Sequence, residues 1–131
     1  VFSQSPPPIP TLLYKPLRPL EGVNKQRAEL FSEEFRLALL NAGRFRLIEI
    51  EDQNRTDKEI IVERNADLLL QGSISLLDAK YRIYIQLNDD SGNTLLATTI
   101  DTDEKNRDVD LASLAEEVSL TTSFSGEGAD A

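Results

Sequence analysis

The chain contains no cysteine, histidine, methionine or tryptophan in its 131 residues. Without cysteine it can form neither a disulfide nor a thiolate metal site. Without histidine it lacks the usual general base near neutral pH and the commonest metal ligand. That excludes histidine-dependent triads and the usual zinc sites. Carboxylates alone can run some hydrolases, so catalysis is disfavoured rather than excluded. Positive charge is also scarce: 14 Lys and Arg stand against 23 Asp and Glu, a net charge of −9. Nucleic-acid backbones and anionic lipid surfaces both require clustered cations, so neither is an expected partner. A cationic partner would be attracted, although acidity more often serves only solubility. No apolar run approaches the roughly 20 residues that a membrane-spanning helix needs. The missing cysteine does not identify a compartment. The first residue is Val1 rather than Met, which fits a removed export signal and a trimmed chain equally well.

What is present is most informative between Ala66 and Ile100. Leu68, Leu70, Gly72, Ile74 and Leu76 alternate with Leu69, Gln71, Ser73 and Ser75. Tyr81, Ile83, Ile85 and Leu87 alternate with Arg82, Tyr84 and Gln86, and Thr94 to Ile100 is a third β-rich run. Period-two alternation broken by turn clusters, Asp89 to Asn93 among them, predicts a three-stranded antiparallel meander with one face on a core.

The front half reads strand–helix–strand–helix. Pro6 to Pro10 favours polyproline II, so residues 1–10 are expected to be a Pro-rich linker; a spacer is favoured over a docking motif. Thr11 to Leu17 is a strand that Pro16 must end or confine to an edge, and Arg18 to Val23 is a loop. A helix is expected from Lys25 to Ala42, capped by Asn24 and closed by Gly43. Ala28, Phe31, Phe35, Ala38, Leu39 and Ala42 form its buried stripe, widened by Leu30, Leu37 and Leu40. Phe45 to Ile50, apolar on both faces, reads as an interior strand. Thr56-Asp57-Lys58-Glu59 is a capping-box pattern opening a short helix that ends near Asn65. After the meander, Asp108 or Asp110 caps a third helix with Leu111, Leu114, Ala115 and Val118 on its buried face. The last residues, 123–131, are polar and read as a flexible acidic tail.

The fold class is therefore α/β (α+β): a mixed sheet of four or five strands with two or three packed helices, in the order β-α-β-α-β-β-β-α. One domain spans residues 11–122, and its length allows burial of about two-thirds of the unfolded surface.

With that order in view, Ala66-Asp67-Leu68-Leu69-Leu70-Gln71-Gly72-Ser73-Ile74 resembles the "ADYVLEGSV" segment of TolB amino-terminal-like domains. Arg82 to Leu96 is similar to their following strands, and the strand ending at Pro16 resembles their first. The resemblance covers Thr11 to about Leu120. Leu96 stands where this group frequently has Trp. The group includes the flagellar outer-membrane protein FlgO, the curli-secretion lipoprotein CsgG and the LpoB-type activators of peptidoglycan synthases. Its members share a fold and act mostly by binding, assembly or regulation. The resemblance implies a non-enzymatic cell-envelope adaptor or assembly factor, periplasmic or outer-membrane-associated, that docks protein partners at flagella, secretion pores or sites of wall synthesis. A tether to the outer membrane would lie upstream of Val1.

Candidate chemistry is sparse. Asp101, Asp103, Glu104, Asp108 and Asp110 supply oxygen ligands but lack the spacing and central glycine of a calcium loop. Asp89 to Asn93 is accounted for by turn chemistry. Glu49, Glu51, Asp52, Glu116 and Glu117 are available as acid and base, yet nothing in their spacing selects a pair. Ser73 sits in no nucleophile elbow, and there is no phosphate-binding glycine loop. No catalytic, cofactor or metal residue is therefore assigned. Arg82, Tyr84 and Gln86 share one strand face and are the candidate interaction face, since Tyr and Arg favour interfaces. The competing expectation, slightly favoured, is that the domain's own helices cover them. Tyr81 points the other way, into the core. Two other readings stay open: a regulatory or ligand-sensing module of a larger cytosolic protein, and a carboxylate-based hydrolase.

Overall fold

The computed structural model describes residues 9–43, 45–50 and 56–128, with side chains at all of these except 57 and 123–128. Most of the Pro-rich segment, together with Glu51 and Asp52, lies outside the described residues. The elements are β1 (Thr11–Tyr14), β2 (Arg18–Pro19), α1 (Lys25–Ala42), β3 (Arg46–Glu49), α2 (Asp57–Arg64), β4 (Leu68–Leu77), β5 (Lys80–Asp89), β6 (Thr94–Thr102) and α3 (Arg107–Gly128). The sheet runs β3-β1-β4-β5-β6, with β2 set beside β4. β1 is parallel to β3 and β4, while β4, β5 and β6 are antiparallel. This is the expected order with one addition: the two-residue β2 lies inside the stretch read as a loop.

Local chemistry places the helix ends. Asn24 Oδ1 accepts from the Arg27 amide at 2.7 Å, and Gly43 closes α1 at φ +68°. Thr56 Oγ1 accepts from the Glu59 amide at 3.2 Å, and Asn65 ends α2 at φ +54°. The start of α3 differs from expectation. Asp103 Oδ1 accepts from the Asn106 amide at 2.8 Å, which leaves Asp108 and Asp110 in the first turn. There they are favoured by the partial positive charge of the exposed amides rather than acting as caps. The backbone of α3 also stays helical to Gly128, beyond Phe124, where a tail was expected.

The sheet has apolar side chains on both faces. On one face α1 and α3 bury Phe31, Phe35, Leu39, Leu111, Leu114 and Val118 against Leu12, Leu70, Ile74, Ile83, Ile85 and Leu87. On the other, α2 packs Ile60 and Ile61 over Leu13, Ile48, Ile50 and Leu69. This two-sided cover corrects the reading of Phe45 to Ile50 as an interior strand. β3 is an edge, apolar on both sides because helices lie above and below it. Leu30, Leu37 and Leu40 are corrected as well: all three are exposed. At 3.6 residues per turn, Leu37 stands about 120° round α1 from Phe31, outside the sector that faces the sheet.

The meander forms as read, with Leu70 opposite Leu87, Ile74 opposite Ile83 and Leu76 opposite Tyr81. Asp78 and Ala79 make its first turn, both left-handed at φ +51° and +65°. The second turn uses Gly92 at φ +90°. Near it the pairing slips between Leu87 and Asn88, and Leu95 is the skipped residue. That bulge lets Leu95 and Leu96 both pack against the large cluster. Leu96, in the place where a Trp was noted, is thus a half-buried flank of the core.

Candidate functional site

Pro16 creates the site. With no N–H to donate, it cannot continue a ladder, and β1 stops at Tyr14. The Lys15 amide makes one last bond to Leu70 O at 3.0 Å, and pairing with β4 resumes only at Arg18 opposite Ser73. Among the described residues, Gln71 and Gly72 therefore have no strand partner on that side, and a groove of about 1040 Å³ opens over the gap. Gln71, Ser73, Tyr84 and Gln86 line one side, and Lys15, Arg18, Lys25, Glu29, Glu33 and Glu49 also line it.

Two buried bonds hold its wall. The Tyr14 hydroxyl donates to Ser32 O at 2.8 Å, and the Leu17 amide donates to Ser32 Oγ at 2.8 Å. Burial raises the Tyr14 hydroxyl well above the ordinary phenol range, so it remains a neutral donor. The Tyr14 and Phe35 rings meet edge-on at 5.9 Å. The chain between β1 and β2 is thereby pinned to α1.

Alternation places Arg82, Tyr84 and Gln86 on the face away from α1 and α3. α2 covers the β3–β1 end of that face and the start of β4 at Leu69. Tyr84 is 37% exposed, and Arg82 is exposed too. The expectation that the domain's own helices would cover these residues is thus overturned for Arg82 and Tyr84, while Gln86 is half-buried. The side chains are linked to one another. The Tyr84 hydroxyl donates to Gln86 Oε1 at 2.9 Å, and Gln86 Nε2 donates to Asn88 Oδ1 and Thr94 Oγ1, each at 3.1 Å. Arg82 Nε lies 3.0 Å from Asp101 Oδ1; this bond holds the Asp101 carboxyl below the usual carboxylate range. The result is an ordered polar face of aromatic, amide and guanidinium groups. It can recognise a surface, but it contains no nucleophile paired with a base.

The other candidates are occupied or apart. Glu104 accepts from the Tyr81 hydroxyl at 3.0 Å and bridges to Arg27 at 2.9 Å. Burial first, and then the Glu104 bond, raises the Tyr81 hydroxyl. Asp103 is used at the start of α3, and Asp89 is used in its own turn. Among the described residues no three acidic side chains converge as a metal site would require. Glu49 lines the groove beside β1, whereas Glu116 lines a different one between α1 and α3, so the two are not brought together.

The sequence reading missed the groove and its charged rim. A signal for it was available. β1 leads into α1 on one side of the sheet, and the adjacent parallel β3 leads into α2 on the other. The carboxyl ends of such a pair mark the usual crevice of an open α/β sheet.

Neither a protein-family model nor a curated protein sequence matches the chain. Solved structures do. The C-terminal domain of LpoB from Escherichia coli superposes with a TM-score of 0.62 at 17% identity, over 73% of this chain and 84% of that one. Lipoprotein GNA1162 from Neisseria meningitidis gives 0.59 at 10% identity, over 74% and 81%. TolB from Acinetobacter baumannii gives 0.60 at 14% identity, over 96% of this chain but only 30% of that larger one. The chain has the fold of the LpoB C-terminal domain, in keeping with the resemblance noted in its sequence.

Proposed function

We propose that this domain is a non-enzymatic cell-envelope protein that works as an adaptor or assembly factor through protein–protein docking. It acts on the periplasmic side, held at the outer membrane through a segment outside this chain. The bare polar face centred on Tyr84 carries the reading, since a sheet face left uncovered beside an open groove is surface available to a partner. The fold shared with an LpoB domain, a lipoprotein and TolB supports the envelope setting. The absence of histidine and the separation of Glu49 from Glu116 support docking over catalysis. Arg82, Tyr84 and Gln86 supply the aromatic and guanidinium groups that interfaces favour.

The test is affinity capture from native envelope extract with the wild-type domain and with Tyr84→Ala and Arg82→Ala. A partner retained by wild type and lost by both variants is the expected result. Equal capture by all three would remove the face from the function. The crevice at the ends of β1 and β3 favours a second reading, a ligand-sensing module. Thermal-shift screening against small anionic and cationic metabolites separates the two, because only the sensor would gain melting temperature from a soluble ligand.

A further inference from the structure

A second groove, distinct from the one beside Tyr84, runs between α1 and α3 on the outer side of the helical layer. It holds about 550 Å³. Leu37, Leu111, Ala112 and Leu120 supply its apolar lining, and Asp108 and Glu116 supply charge. Leu37 and Leu120 stay 48% and 50% exposed, although α1 and α3 pack together beneath them. Leu37 is one of the residues whose helical spacing suggested burial, yet among the described residues it stays half exposed.

Ser119 is the second, independent observation. It lines the same groove at only 4% exposure, and its hydroxyl has no hydrogen-bond partner among the described residues. One turn on, Thr121 and Thr122 hydroxyls donate back to the Glu117 and Val118 carbonyls at 2.9 Å, the usual resting place for such a group in a helix. A buried hydroxyl without a partner is costly. An occupant offering a polar group at this point of the groove wall would relieve that cost.

Charge narrows the occupant. Glu34, also at this groove, is matched by Arg107, whose Nε lies 2.8 Å from Glu34 Oε2. Asp108 and Glu116 have no such cation among the described ion pairs. A second copy of this chain, itself at −9, would bring more negative charge to that rim. Length narrows it further. Asp108 to Leu120 spans about 18 Å at 1.5 Å per residue, the length of roughly three helical turns. We infer that this groove takes a basic amphipathic helix of a partner protein. Its apolar stripe lies over Leu37, Ala112 and Leu120, its cations flank Asp108 and Glu116, and one polar side chain reaches Ser119. Such docking is the helix-in-groove mode.

The inference does not depend on the role given to the Tyr84 face, so the two can fail separately. The probe is a fluorescein-labelled helical peptide of about 14 residues, somewhat longer than the groove. It carries leucines at i, i+3, i+4 and i+7, one asparagine in that stripe and lysines on both flanks. A matched peptide replaces the lysines with glutamates. Fluorescence anisotropy reads binding, and amide shift mapping locates it. The expected result is binding of the basic peptide only, weakened about fivefold or more by Leu37→Gln or Leu120→Gln. Asp108→Asn with Glu116→Gln should weaken it about threefold in low salt, a difference that shrinks near 0.5 M salt. Ser119→Ala should weaken the asparagine peptide without lowering the melting temperature, and Tyr84→Ala should change nothing. No binding, equal binding of the acidic peptide, or shifts mapping elsewhere would overturn the inference. So would a wild-type dimer in sedimentation that Leu120→Gln dissociates, because the occupant would then be a second copy.

Discussion

Gly72→Ala tests the close approach of β4 and β5 beneath the groove. An added Cβ would lie 2.1 Å from Tyr84 O, 3.1 Å from Leu17 Cδ2 and 3.2 Å from Ile85 Cα. Ordinary carbon–oxygen contact is more than an ångström longer than the first of these. Two of the three obstacles are backbone, so no side-chain rotation relieves the overlap. The strands must separate, weakening the ladder around the pairs Gly72–Ile85 and Ser73–Tyr84. Overpacking in a tight interior costs about 1–3 kcal/mol, occasionally more, and backbone obstacles put this case at about 3 kcal/mol. With a urea m-value of about 1.5 kcal/mol/M, the midpoint should fall by about 2 M at unchanged slope. Urea titration followed by far-ultraviolet circular dichroism measures it. Gly92→Ala is the control, because nothing lies within 4 Å of its added Cβ. Its cost comes only from the left-handed φ, about 1–2 kcal/mol. A Gly72→Ala midpoint within about 0.3 M of wild type, or a smaller loss than Gly92→Ala, would refute the steric argument.

Other substitutions test other parts of the structure. Phe35→Ala removes a fully buried ring that meets Tyr14 edge-on and should cost about 3–5 kcal/mol by the same urea assay. Ala79→Gly relieves a left-handed alanine in the first hairpin turn and should raise stability by about 0.5–1 kcal/mol, read as a higher melting temperature. Ser32→Ala leaves the buried Leu17 amide without its acceptor and should cost about 1–3 kcal/mol. Asp89 carries a pH dependence: the Asn93 amide above all, and also Ser91, lowers its carboxyl below the usual range. A folded value below the unfolded one means that the unfolded state takes the proton first as pH falls. The stabilisation is complete above about pH 4 and is lost on descending through the lower folded value. Asp89→Asn keeps an acceptor but cannot titrate, so its melting temperature should fall less steeply below pH 4 than wild type. Parallel melting curves would contradict the assignment.

What the linear chain disclosed was local chemistry. Asn24, Gly43, Thr56 and Asn65 sit at helix ends because capping depends on groups within about four residues of one another. The meander was legible because alternation and turn residues act over similarly short range. Arg82, Tyr84 and Gln86 were placed on one face by alternation alone. Whether that face was covered depended on where three helices settle, a long-range question that no spacing rule answers. For the same reason β3 looked interior. Apolarity on two faces reports helices above and below, and says nothing about a strand alongside. Both grooves arise from tertiary assembly. One exists because Pro16 halts β1 while β4 runs on, so residues far apart in sequence flank a gap. The other exists because α1 and α3 meet with Leu37 and Leu120 outside their contact, leaving the buried Ser119 hydroxyl without a partner among the described residues.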